Sequence, residues 1–297
     1  MLKRILSVLL ICLLLTGCGS STPAEAVEKQ LLTSMESEFW QTLLYDTVHT
    51  IHISEYGYDE YGRKVREKLI LNDETVTSSR YLWSRDGLEC TEISFDHQGW
   101  IPRPIFRVKE VYDENGKVRE KTMYKFFTVS QRSIYSYDDA GNLIRLEATD
   151  GEGNLEILQE YTWDENGNRL RTTDLSPDGI QSIVEYTYDE TGNQTGWYSR
   201  ENGVLQEYVE TTYDEQGRKV FSARYDGNGE RLHYWEYTYS DDGLEMTTSY
   251  SGERTSIDYY NEAGQCFRIE TYDNDGNLTG VTNYTYETIQ VNQKPNP

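Results

Sequence analysis

The side chains able to do chemistry are few and poorly placed for it. The chain has four histidines. His49 and His52 are three residues apart, and on a strand an odd offset points them to opposite faces, so they do not make a metal pair. His97 falls in a turn and His233 in a strand, each with no partner visible in sequence. Asp/Glu pairs of the kind that serve glycoside cleavage occur throughout, and their abundance removes their meaning. Asp273-Asn-Asp-Gly276 has the Asp and Gly of a calcium loop. An EF-hand, however, needs three alternating oxygen ligands before its Gly and a Glu at position twelve. No phosphate loop, nucleophile elbow or zinc spacing is present. The expectation is a protein with no catalytic residue, no metal site and no cofactor.

The N-terminus carries clearer chemistry. Met1-Leu2-Lys3-Arg4 is followed by an apolar run from Ile5 to Leu15, the charged and apolar regions of an export signal. Eleven residues of helix span about 16 Å, against a hydrocarbon core of about 30 Å, too short for a permanent crossing. The run ends Leu15-Thr-Gly-Cys18, which resembles the lipobox of bacterial lipoproteins. That resemblance implies cleavage after residue 17 and diacylglyceryl transfer to the Cys18 thiol. The chain is then held at the extracytoplasmic face of the cell membrane by its N-terminal lipid. Of the other cysteines, Cys12 leaves with the signal, and Cys90 and Cys266 are too few for a disulfide framework.

Net charge is −23, and losing Lys3 and Arg4 takes the mature chain to −25. That charge argues against nucleic acid and anionic lipid surfaces as partners. Hydrophobic residues make up only 36%, and Tyr outnumbers Phe by 25 to 7. Tyr buries a ring while keeping its hydroxyl wet, which suits a thin structure rather than a thick core.

Internal repetition decides the architecture. Aromatic-led turns recur at Tyr112-Asp-Glu-Asn-Gly116, Tyr137-Asp-Asp-Ala-Gly141, Trp163-Asp-Glu-Asn-Gly167, Tyr188-Asp-Glu-Thr-Gly192, Tyr213-Asp-Glu-Gln-Gly217 and Tyr239-Ser-Asp-Asp-Gly243. Between them lies a second series: 150–153, Ser176-Pro-Asp-Gly179, 200–203 and 226–229. Asp or Ser at the first position and Gly at the fourth suit a type I turn closed by a left-handed residue. The roughly eight residues between turns alternate, as in Glu185-Tyr-Thr-Tyr188, with aromatics on one face. The fold expected is all-β: a long antiparallel meander of about sixteen to twenty strands. Such a meander coils into a superhelically twisted or spiralling single sheet. Thr22-Pro23-Ala24-Glu25 reads as a helix start, and Val27, Leu31 and Met35 continue at helical spacing, so a short helix is expected to cap the raw end of the sheet. The expected boundaries are a signal over 1–17, a tether over 18–22, the cap over 23–46, the repeats over 47–289 and a tail over 290–297. Residues 100–104, Trp-Ile-Pro-Arg-Pro, predict a loop protruding from an edge, and a turn is due near 128–131. In a linear sheet Cys90 and Cys266 lie about 65 Å apart at about 4.8 Å per strand, beyond disulfide reach.

Tyr135-Ser-Tyr-Asp-Asp-Ala-Gly-Asn-Leu143 and Tyr186-Thr-Tyr-Asp-Glu-Thr-Gly-Asn193 resemble the YD repeats of RHS-type proteins, over residues 56–286. That resemblance implies a spiralling β-sheet. The conserved-core and toxin regions of that family do not follow the repeats here. The expected role is a non-enzymatic binding or scaffold module for a glycan, a wall polymer or a protein, with Tyr135, Tyr161, Trp163, Tyr186, Tyr188, Trp235 and Tyr237 as the candidate binding face. The alternatives are a polymer hydrolase using an acidic pair near residues 100–104, and an accessory or remnant of an RHS-type toxin system.

Overall fold

The computed structural model describes residues 27–43, 46–99, 101–125 and 127–291. The signal, Cys18, the tether and Trp100 lie outside them. Twenty antiparallel strands, β1 (Val27–Leu43) through β20 (Leu278–Val291), follow one another as neighbours. β1 pairs with β2 on one side and with β20 on the other, from Val27↔Val291 to Phe39↔Gly280. The sheet is therefore a closed barrel.

Two expectations fall here. The sheet is not an open spiral, and among the described residues no helix caps it. Of the 23–46 segment expected to be helical, residues 27–43 form β1, a strand built into the wall, and residues 23–26, 44 and 45 lie outside the described residues. A spacing of four residues fits a helix, but it is also even, so Val27, Leu31 and Met35 suit a strand equally. A bulge between Leu32 and Ser34 then shifts the register. Pairing decides the outcome. An unpaired β1 and β20 would each present a row of N–H and C=O groups, and closure removes both edges at once. The wall also continues through Gln290 and Val291, where the sequence suggested a tail.

Following the registers once around the wall returns to β1 displaced by about 20 residues. With about 3.3 Å per residue along a strand and about 4.8 Å between strands, that shear gives a tilt of about 35°. The circumference is then about 117 Å, which drawn as a circle is about 37 Å across. Among the described residues, strands touch only their lateral neighbours, and no large side chain is fully buried. Opposite sides of the wall therefore do not pack on each other. The small buried set, including Ser37, Cys90, Ser94, Val108, Ser133, Ala148 and Ala223, lies within the wall itself. Cys90 and Cys266 are both free. Closure leaves them on β5 and β19, six strands apart by the shorter route, or about 30 Å across the barrel.

The Tyr-Asp turns stand along one rim, called here the aromatic rim. In each, the Gly N–H returns to the Asp carbonyl, as Gly167 does to Asp164 at 3.2 Å. The Asp carboxylate accepts from backbone N–H groups two and four residues on, as Asp164 does from Asn166 and Asn168. Three turns not singled out above complete the series: Tyr58-Asp-Glu-Tyr-Gly62, Trp83-Ser-Arg-Asp-Gly87 and Tyr260-Asn-Glu-Ala-Gly264. Gly167 has φ +81°, and a Cβ there would meet nothing within 4 Å. Gly167→Val is therefore a test of backbone strain alone, with an expected loss of about 1–3 kcal/mol in urea denaturation. The proline segment is less disruptive than its sequence suggests. Pro104 is the second residue of β6 and lies beside a bulge in its own strand, where Ile105 is left unpaired between Pro104↔Phe95 and Phe106↔Ser94, a place where a missing N–H is tolerated. The turn expected near 128–131 falls earlier, since β7 ends at Lys125 and β8 begins at Thr128.

Candidate binding surface

Strand alternation and the registers place the seven candidate aromatics on one face of the wall. Tyr161 lies opposite Thr172, Tyr186 opposite Trp197, and Trp235 opposite Ser222 and Tyr250. One comes from β8 and two from each of β10, β12 and β16, so the closed wall spreads them rather than gathering them. Several act as staples. The ring that leads most of the turns hydrogen-bonds a backbone carbonyl of the preceding hairpin, whereas that of Tyr112 donates to Glu110 Oε2. Trp163 Nε1 donates to Leu143 O at 2.8 Å, and the hydroxyls of Tyr188 and Tyr239 donate to Arg169 O and Lys219 O. Tyr58, Trp83, Tyr137, Tyr213 and Tyr286 repeat the contact. Tyr161 donates to Gln159 Oε1 at 2.6 Å, and Trp235 packs 5.5 Å from Tyr250. Burial pushes the hydroxyls of Tyr161, Tyr188 and Tyr213 above the usual tyrosine value.

Staples on successive turns leave clefts between them. One cleft is walled by Asp138, Ala140 and Asn142 of one turn and by Tyr161, Trp163 and Glu165 around the next. A second is walled by Asp189, Thr191 and Asn193, then by Thr211, Tyr213 and Glu215. Both join an aromatic ring to carboxylate, amide and hydroxyl or methyl groups. Tyr213, Asn142 and Asn193 were not among the candidates. Their signal was present in the sequence, as the lead ring of a turn and the residue that follows the turn glycine.

The side chains considered for catalysis are occupied with one another. His49 meets Glu38 at 3.0 Å, and His52 stands edge-on to Phe39. His97 bonds Ser78, and His233 bonds Tyr250. Near the proline segment, Tyr81 Oη lies 3.0 Å from Glu67 Oε2 and 3.3 Å from Glu92 Oε1. Lys64 holds Glu67 at 2.7 Å, and Ser94 holds Glu92 at 3.1 Å. Burial, and then the two glutamates, push the Tyr81 hydroxyl up. Among the described residues no group of three or more His, Cys, Asp or Glu is placed to hold a metal ion.

The opposite face of the wall carries ion pairs on many strands. Lys68–Glu55, Arg132–Glu120, Arg145–Glu147 and Arg268–Glu270 lie within 4 Å, and Arg200 pairs with Glu185. The aromatic face has its own charges, including Glu67, Glu92 and the Lys121–Glu110 pair at 3.1 Å.

No family model matches the chain, and no curated protein matches it. Solved structures do. A porin-like protein from Bacteroides uniformis ATCC 8492 aligns with TM-score 0.37 and 11% identity, over 86% of this chain and 98% of that one. A TcdB2-TccC3 structure without its hypervariable C-terminal region aligns with TM-score 0.31 and 12% identity, over 81% of this chain and 16% of that one. A porin-like protein from Bacteroides vulgatus ATCC 8482 gives TM-score 0.27 and 10% identity, over 86% and 98%. At these scores no function carries from any of them to this chain.

Proposed function

We propose that the chain is a lipid-anchored, non-enzymatic binding or scaffold module outside the cytoplasm, built from YD-type hairpin repeats, with the aromatic rim as its working surface. The observation that carries this reading is the pair of rim clefts at Trp163 and Tyr213, built alike from an aromatic ring and polar walls. A glycan, wall polymer or protein segment following the rim would meet equivalent clefts in succession, as repeat surfaces provide.

Charge on both faces argues for water on both sides of the wall. A membrane-spanning barrel needs an outward apolar band about 25 Å tall, and Arg or Lys at its midplane costs about 2–4 kcal/mol. Here one face carries Arg132, Arg145, Arg200 and Arg268, and the other carries Glu67, Glu92 and Glu110. Attachment then falls to Cys18. The nine residue steps from Cys18 to Val27 reach at most about 30 Å, and Val27 lies at the aromatic-rim end of β1. A hydrolase reading centred on Glu67 and Glu92 is the weaker one, because both carboxylates already hold donors from Lys64, Ser94 and Tyr81.

Two measurements test the proposal. Cys18→Ala should abolish palmitate labelling and release the protein from the membrane fraction; labelling that persists removes the anchor. An array of glycans and wall polymers probed with residues 22–297 should show binding that a Trp163→Leu, Tyr213→Leu double variant reduces. Binding that is unchanged in the variant removes the rim from the function.

A further inference from the structure

Around the aromatic rim, the lead ring of a turn is repeatedly covered by a cation from the turn before it. The Arg63 guanidinium lies 5.2 Å from the Trp83 ring centroid, and Arg218 lies 4.5 Å from that of Tyr239. The Lys117 ammonium lies 5.2 Å from Tyr137 and also donates to the carbonyl oxygen of Gly141. Each cation is the residue immediately after a turn glycine: Gly62, Gly217 and Gly116. The contact has a direct physical basis, since the negative face of an aromatic ring attracts a cation within about 6 Å of its centre.

Asn142 and Asn193 hold that same position in two other turns. Each amide turns back on its own turn instead, Asn142 to Asp138 at 3.1 Å and Asn193 to Asp189 at 3.0 Å. Among the described residues no cation lies over Trp163 or Tyr213, the rings that Asn142 and Asn193 face across the gap. At both of these rings a cleft opens. Asn168 is also an amide, but the next turn is served by Arg169, 4.5 Å over Tyr186 and close enough to Tyr188 to act on its hydroxyl. At Trp83, Tyr137 and Tyr239 a cation from the preceding turn covers the lead ring, whereas at Trp163 and Tyr213 an amide stands in its place and the cleft is open; Leu88, Leu244 and Gln265 hold the position in the remaining turns.

We propose that the clefts at Trp163 and Tyr213 receive arginine or lysine side chains of a basic protein segment, which supplies in trans the cation that Arg63, Lys117 and Arg218 supply in cis. This rests on the reading that the aromatic rim is the binding surface, and it names the partner. The surroundings suit a cation: Asp138 and Glu165 wall one cleft, and Asp189 and Glu215 the other. The carbonyl oxygens of Gly167 and Gly217 are the repeat equivalents of the Gly141 oxygen that Lys117 meets. Trp163 and Tyr213 end β10 and β14, four strands apart, or about 23 Å along the rim. An extended peptide at about 3.3 Å per residue covers that distance in about seven residues.

The test uses a fluorescent Gly/Ser peptide carrying two arginines seven residues apart, titrated into the mature chain. The two-arginine peptide should bind, and its lysine-for-arginine version should bind too. Filling either cleft from within, by Asn142→Arg or Asn193→Arg, should weaken binding about fivefold per cleft without lowering the melting temperature. The double variant should not bind. Arg218→Asn should open a further site at Tyr239 and raise the stoichiometry. Val204→Arg, an exposed position on the opposite rim, adds the same charge and should change affinity little. No binding to the parent, equal binding by the double variant, or an equal loss in Val204→Arg would each overturn the proposal. Polymer binding that survives Asn142→Arg and Asn193→Arg would leave the rim as a binding surface while removing the cationic partner.

Discussion

Ser37→Pro should cost about 3 kcal/mol or more, close to the largest effect any single substitution in the wall will show. Ser37 sits in β1 with His52 of β2 opposite it on one side and Thr282 of β20 on the other. Its side chain is 6% exposed, and its hydroxyl lies 2.9 Å from that of Thr282. Proline there removes a ladder N–H from a strand with neighbours on both sides, a position proline does not occupy in sheets. Ser37→Ala removes only the hydroxyl contact and should cost about 1 kcal/mol. Urea denaturation of the two variants reads the difference. If they denature alike, β1 is not a central strand.

Acid should unfold the protein steeply, because its turns are built on ionised aspartates. Ordinary aspartate titrates near 3.8, and the turn carboxyls sit below that. The largest cause is the Asn142 backbone N–H for Asp138 and the Glu230 backbone N–H for Asp226. It is the following asparagine's amide for Asp150, Asp164 and Asp273, and the Thr191 hydroxyl for Asp189. A group whose folded value is depressed contributes stability above its unfolded value and loses it as pH falls through the folded value. The melting temperature should therefore hold down to about pH 5 and drop below about pH 4, with the aspartates acting together. At the alkaline end the sign reverses. Burial raises many tyrosines, Tyr260 and Tyr284 to about 12, so their contribution is complete below pH 10 and fades above it. Asp164→Asn should blunt the acid transition. A melting temperature flat from pH 6 to pH 2.5 would contradict the role given to these turns.

The hairpins were legible in the sequence because their information is local. Ser176-Pro-Asp-Gly179 spells its own turn, and Glu185-Tyr-Thr-Tyr188 its own alternation. Closure was not legible, because it joins residues such as Ser37 and Thr282, 245 positions apart, and no local pattern records that pairing. β1 hid for a related reason: it lacks the repeat, and its even apolar spacing satisfies helix and strand alike. The candidate aromatics fall on one face, as alternation requires, but the sequence could not say which rings were open. That depends on the residue after the preceding turn glycine, a cation at Arg218 and an amide at Asn193, acting across a strand pair onto the next ring.

Closure of the wall is the central claim, and a cross-link between its first and last strands tests it most directly. Residues facing each other in an antiparallel pair have Cα atoms about 4.5–5.5 Å apart, within the roughly 7 Å that a disulfide requires. The double variant Ser37→Cys, Thr282→Cys, purified reduced and oxidised at low concentration, should form that intramolecular bond. Peptide mapping should recover residue 37 linked to residue 282 in most molecules, with Cys90 and Cys266 still free. An open sheet would hold these two positions roughly 90 Å apart at about 4.8 Å per strand. Two free thiols at 37 and 282 after oxidation, in a variant that melts like the parent, would contradict the barrel.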